Sequence, residues 1–317
     1  MPTDFSEASL EAIKFALPIL KSFNAELHLV HVAPQDYPLS SLAALPMILP
    51  ALEMARDVQQ HLRKAAVRHS FPFQRENMHA LRGRPSEQIC QLARKINVDL
   101  IVMSTRGHTG LKHLTLGSTA ERVVRYSPCP VLIVRQVNPA ENGNGSCKTP
   151  HVALHIRKIL VPVDFSDCSR QGVEYAKRLA KQFRATLVLL HSVYFQYHVT
   201  SDEYARYDYP LLVQEADKAA HQQMRELVHA TESDGIKVES LLKTGHVGEQ
   251  ICDQARFHDA DLIVTSTHGW TGFKHVLLGS TAEYVVNHAR CPVLVVPTHE
   301  RSVINSTKHK HETANNH

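Results

Sequence analysis

Two stretches carry residue types and spacing suited to holding an anion. They are RGHTGLKHLTLGST, Arg106–Thr119, and HGWTGFKHVLLGST, His268–Thr281, which begins 162 residues later. Each follows an apolar run and leads into a helical pattern. Glycine lets the backbone turn sharply and lets its N–H groups approach a ligand. A helix start beyond the loop adds unpaired N–H groups and the positive end of a macrodipole. Together these suit an anion, of which phosphate is the usual example. Neither stretch contains a GxxxxGK[ST] or GxGxxG pattern. Lys112 and Lys274 recur beside the loops, placed either to reach phosphates or simply to be solvated. His113 and His275 recur too, but no Asp or Cys joins them at ligand spacing, so no metal site is expected.

A purely structural reading competes. Ser118-Thr119-Ala120-Glu121 has the form of a capping box, Ser280 to Glu283 repeats it, and Asp4-Phe5-Ser6-Glu7 resembles one. Gly110 and Gly272 also suit plain turns. No recurring carboxylate pair or Cys–His constellation accompanies the loops, so the reading leans away from an enzyme.

The elements that must position these loops are themselves repeated. Asp99–Val134 and Asp261–Val296 are identical at 24 of 36 positions without a gap. MPTDFSEAS from Met1 matches VPVDFSDCS from Val161. One unit is therefore written twice. In the second copy, strands are expected at Lys158–Val163, Thr186–Ser192, Lys237–Leu242, Asp261–Ser266 and Pro292–Val296. Helices are expected from Asp164–Ser169 to Phe183, at Val213–Ser233, Gly248–His258 and Ser280–His288. Strands alternating with helices imply parallel β structure with right-handed crossovers. Continuous Val/Ile/Leu runs fit strands covered on both faces. The expected units are 1–136 and 156–300. An Asn/Gly/Pro-rich linker, 137–155, joins them, and a polar, disordered tail, 301–317, follows.

Bulk composition narrows the functional classes. With 317 residues, 43% hydrophobic and 21% charged, each half is long enough for a core. The net charge of +4 is scattered, which argues against nucleic acid as a partner. No apolar run reaches the ~20 residues of a membrane span, and the N-terminus lacks a signal-peptide pattern. A cytoplasmic protein without membrane association is expected. The six cysteines include no CxxC pair, and Cys90/Cys252 and Cys129/Cys291 recur at the repeat spacing. They read as small buried hydrophobes.

VPVDFS at a first strand, DLIVTSTHG, a nine-residue spacer, GSTAE and CPVLVV together resemble the universal stress protein family. The resemblance covers both halves and implies a tandem member. It implies two open parallel five-stranded sheets, strand order 3-2-1-4-5, with helices on both faces. Nucleotide would bind where strand order reverses, in agreement with the general rule for open α/β sheets. The family's nucleotide pattern is G-x-x-G, nine residues, then G-[ST]. Gly107, Gly117, Ser118 and Thr119 match it in one copy, and Gly269, Gly279, Ser280 and Thr281 in the other. Their amides and hydroxyls are implied phosphate contacts. Ser104 and Ser266 stand where the pattern has its first glycine. A side chain there crowds the nucleotide, or strains the turn if φ is positive. Pro2, Thr3 and Asp4, and Pro162, Val163 and Asp164, end strand one, with the aspartates facing adenine or ribose. Val32 and Val193 end strand two and would flank the base. The implied cofactor is ATP or AMP, with Mg²⁺, or none.

The function implied is an adenine-nucleotide-binding regulatory module in stress response. The alternatives are a nucleotide-free assembly protein of the same fold and a slow ATPase. Val131–Val134 and Val293–Val296 are expected to pair the two halves within the chain, since a two-fold interface uses the same patch twice. A homodimer is a further possible assembly, and the protein partner is unassigned. The counterpart of Arg157–Leu160 is missing ahead of Met1. The first unit is thus expected to lack most of strand one, with a natural start upstream or a locally weakened sheet.

Overall fold

The computed structural model describes residues 1–33, 60, 63–64, 77–105, 116–135, 155–193, 203–267 and 278–298. The expected linker core, the tail, and the loop residues Gly107, Gly110, Lys112, His113, Gly269, Gly272, Lys274 and His275 lie outside them.

In the first copy, helix α1 (Glu7–Phe23) is followed by β1 (Leu29–Ala33), β2 (Met78–Arg82) and α2 (Pro85–Lys95). Then come β3 (Ile101–Ser104), α3 (Ser118–Tyr126) and β4 (Val131–Val134). The second copy contains β5 (Lys158–Pro162), α4 (Asp167–Phe183), β6 (Thr186–Val193), α5 (Glu203–Ser233) and β7 (Val238–Thr244). It ends with α6 (Val247–Phe257), β8 (Leu262–Ser266), α7 (Ser280–His288) and β9 (Val293–Val296). Helix α5 starts ten residues before the expected Val213.

The start of α4 also departs from expectation. Asp164 does not open the helix; its Oδ1 accepts from Ser166 N (3.0 Å) and Ser166 Oγ (2.5 Å). Phe165 between them has φ 62°, a left-handed turn unusual for a bulky residue. Ser166 is the cap, and its hydroxyl accepts from Ser169 N. Asp4, Phe5 (φ 65°), Ser6 and Ser9 repeat this turn ahead of α1.

Seven strands form one sheet in the order β3-β4-β9-β8-β5-β6-β7. The second copy contributes β7-β6-β5-β8-β9, all parallel, which is the order 3-2-1-4-5 within the unit. Antiparallel pairing of β4 with β9 joins the copies, with Leu132 opposite Leu294. One core cluster spans that join and includes Val131, Ile133, Val293 and Val295.

Among the described residues, the strands of the first copy are divided between two sheets. β1 and β2 make a separate two-stranded sheet, while β3 and β4 stay with the large one. In the second copy, β5 reaches β8 through Ile159↔Leu262 and Leu160↔Ile263. In the first copy, the segment ahead of α1 pairs with β1, through Thr3 N to Val30 O (2.9 Å) and Val30 N to Met1 O (3.0 Å).

Candidate functional site

The predicted first-copy residues meet in one place. Pro2, Thr3, Asp4, Val32, Ser104, Gly117, Ser118 and Thr119 border a single cleft of about 180 Å³. It lies where Met1–Asp4, the end of β3 and the start of α3 converge. Ser9, Val30, Pro85, Ile89, Met103, Thr105 and Ala120 complete the lining. Sequence reasoning did not single these out, because apolar positions such as Ile89 and Met103 carry the same signal as core.

In the second copy, Pro162 ends β5, with Val163 and Asp164 just beyond it. Ser266 ends β8, and Gly279, Ser280 and Thr281 stand at the start of α7. β5 has β6 on one side and β8 on the other, so these residues cluster at the reversal of strand order. Val193 ends β6, as expected, whereas Val32 is one residue short of the end of β1. The structural counterpart of Val193 is Ala33, since Gly83 N donates to Ala33 O as Gly245 N donates to Val193 O. Ser192 is the counterpart of Val32, and its hydroxyl donates to Gly245 O (3.2 Å).

The glycine before each helix has a role other than the expected phosphate contact. Gly117 N donates to Thr105 O (2.9 Å), and Gly279 N to Thr267 O (2.8 Å). These bonds close the loop at its base. A Cβ on Gly117 would lie 3.1 Å from Thr105 O, so the close approach favours glycine although φ is an ordinary −63°.

The capping-box expectation is also corrected. The N-caps of α3 and α7 are Gly117 and Gly279, and neither helix has a side-chain cap. Ser118 and Ser280 are the first helical residues. Glu121 turns to Arg125 on its own helix (2.8 Å) instead of reaching back. Intrahelical bonding starts with Glu121 N to Gly117 O and Glu283 N to Gly279 O, both 2.9 Å. The amides of Ser118, Thr119 and Ala120, and of Ser280, Thr281 and Ala282, precede the first bond of each ladder. Both helices thus begin with a turn of N–H groups and a serine hydroxyl that, among the described residues, no capping side chain covers.

Ser104 and Ser266 end their strands and are not among the residues with positive φ, so the backbone there is unstrained. Thr3, 6% exposed, has its hydroxyl engaged with Ser9 Oγ (2.9 Å) and Phe5 N (3.0 Å). Val163 fills that place in the second copy.

A repeated aromatic clamp braces each strand-one end. His31 Nδ1 bonds Thr3 O (2.8 Å) while its ring stacks on Phe5 at 4.6 Å. His191 Nδ1 bonds Val163 O (2.7 Å) beneath Phe165, also at 4.6 Å. A carbonyl oxygen only accepts, so Nδ1 is the donor in both bonds. The clamp offsets a left-handed phenylalanine turn costing about 1–2 kcal/mol. The recurrence of His31 and His191 at the spacing of the DFS motif was the available signal.

Cys90 and Cys129 are buried and fit packing rather than nucleophilic chemistry, whereas Cys168, Cys252 and Cys291 are only partly buried. Burial pushes the Cys129 thiol up to about 11 and raises that of Cys90. A protonated thiol is a poor nucleophile. Among the described residues, no group of three or more His, Cys, Asp or Glu could hold a metal ion, and no helix is long and apolar enough to cross a membrane.

Known proteins share both sequence and fold with the chain. A profile of the universal stress protein family matches residues 1–135 and 155–297. A universal stress protein of Methanocaldococcus jannaschii is 37% identical over 143 residues, covering 43% of this chain and 80% of that protein. One from Coxiella burnetii is 34% identical over 136 residues, 41% of this chain and 90% of its own. Across almost the whole length, the chain resembles the crystal structure of a universal stress protein from Archaeoglobus fulgidus. The TM-score is 0.58 at 23% identity, with 93% of this chain and 94% of that chain covered. At that identity the likeness establishes the fold alone.

Proposed function

We propose, from the premise that this chain belongs to the universal stress protein family as a tandem two-unit member, that it is an adenine-nucleotide-binding regulatory module. The observation that carries the reading is the uncapped start of α3 and of α7, each beside the aspartate turn that ends strand one. Phosphates accept from the amides of Ser118 to Ala120 in one unit and of Ser280 to Ala282 in the other, with the Ser118 and Ser280 hydroxyls alongside. Asp4 and Asp164 face the ribose or adenine end. Val32 and Met103 give the first cleft apolar walls for a base. Magnesium would accompany the phosphates of ATP. The regulatory role and the stress-response setting are those the family implies.

Isothermal calorimetry with ATP and with AMP tests this. Two binding events per chain, at or below millimolar dissociation constants, are expected. No heat with either nucleotide at that concentration would favour an assembly role without nucleotide. Release of phosphate or AMP from bound ATP over repeated turnovers would favour a slow enzyme.

A further inference from the structure

One hydrogen bond crosses between the units at the first site. The side chain of Asn287, in the last turn of α7, accepts the N–H of Leu116 through Oδ1 (2.6 Å). Leu116 directly precedes Gly117, whose own N–H is held by Thr105 O (2.9 Å). Two successive amides are thus fixed just before the uncapped turn of α3, one by each unit. The Asn287 carbonyl also accepts from Arg135 Nη1 (2.6 Å), a cation suited to a helix C-terminus. At the equivalent place in the first unit stands Arg125, which pairs with Glu121 on its own helix. Its Nε is buried without a hydrogen-bond partner. The crossing contact is therefore one-directional among the described residues.

We infer that Asn287, supplied by the second unit, is a positioning residue for the phosphate-facing turn of the first unit's site, which is incomplete without it. This rests on the nucleotide reading above. The bond directs the Leu116 N–H away from the ligand and sets the Leu116–Gly117 backbone, and with it the direction of the amides from Ser118 onward. Orientation of such donors is what makes them effective toward an anion. The helix that supplies Asn287 begins at Ser280 and Thr281, so α7 has its first turn in one site and its last turn holding the other.

The test uses the full chain carrying Asn287→Ala. Alanine keeps helix propensity, and the Arg135 contact survives because it uses the backbone carbonyl. Calorimetry with ATP is expected to show one of two sites weakened about fivefold, the effect of one misplaced hydrogen-bonding group, and the other unchanged. In a Gly117→Asp background, where the first site is closed, adding Asn287→Ala should change nothing. Amide exchange at Leu116 should speed up in the Asn287→Ala chain while the melting temperature stays close to that of the parent. Equal weakening of both sites, no weakening, or an effect that persists in the Gly117→Asp background would overturn the inference while leaving the nucleotide reading intact. No binding by the unsubstituted chain would overturn the nucleotide reading, and this inference with it.

Discussion

Gly117→Asp and Gly279→Asp, combined in one chain, are expected to eliminate adenine-nucleotide binding while leaving the fold largely intact. Asp is among the preferred N-cap residues, and its carboxylate accepts from the second or third amide of the helix. At Gly117 and Gly279, both N-caps without a side-chain bond, it would occupy the amides assigned to phosphate and set a negative charge against it. Loss of two charge-assisted hydrogen bonds, at about 1.5–3 kcal/mol each, weakens binding at least about 100-fold before repulsion is counted. The helix gains a cap at the same time, so stability is offset rather than lost. The Cβ crowds Thr105 O at 3.1 Å, which trims that gain at Gly117. Each single substitution should remove one of two calorimetric sites. If the doubly substituted chain still binds ATP within tenfold of the parent, the uncapped helix starts are not the phosphate sites.

The second large effect concerns the join between the units. Leu132 and Leu294 face one another across β4 and β9, 1% and 3% exposed. Leu132→Lys with Leu294→Lys would place two like charges opposite each other in the core without a partner. Leaving a charge uncompensated in a core costs about 3–5 kcal/mol, and a typical domain has only about 5–15 kcal/mol to lose. A drop in melting temperature of about 10 °C or more, or separation of the units with an enlarged radius in X-ray scattering, is expected. Leu132→Ala alone leaves a cavity but no charge and should cost about 2–5 kcal/mol. A doubly substituted chain that melts and scatters like the parent would show that the β4–β9 pairing does not hold the units together.

The duplication, the α/β class and the residue ranges of most elements were legible in the chain alone. Apolar runs at Lys158–Pro162, Thr186–Val193 and Leu262–Ser266 are interrupted by helical patterns, and such periodicity is a local property. The loops before Ser118 and Ser280 could be located for the same reason. Which groups those loops leave available could not. A capping box and an uncapped helix share the letters Ser-Thr-Ala-Glu. The choice was made by Thr105 O and Thr267 O, which draw Gly117 and Gly279 into the N-cap position, and, in the first unit, by Arg125, which takes Glu121. The equivalence of Val32 with Ser192 rather than Val193 depended on which carbonyl meets Gly83 and Gly245 across a strand end. The Asn287–Leu116 contact joins residues 171 apart. That β1-β2 and β3-β4 stand in different sheets was likewise decided by long-range pairing, as was the bridging of β5 to β8 by Ile159 and Leu160. Local pattern decides where elements form, since each is set by neighbours a few residues away. Hydrogen-bond partners across the fold decide what each element leaves free for chemistry, since those partners are brought together only when the chain closes on itself.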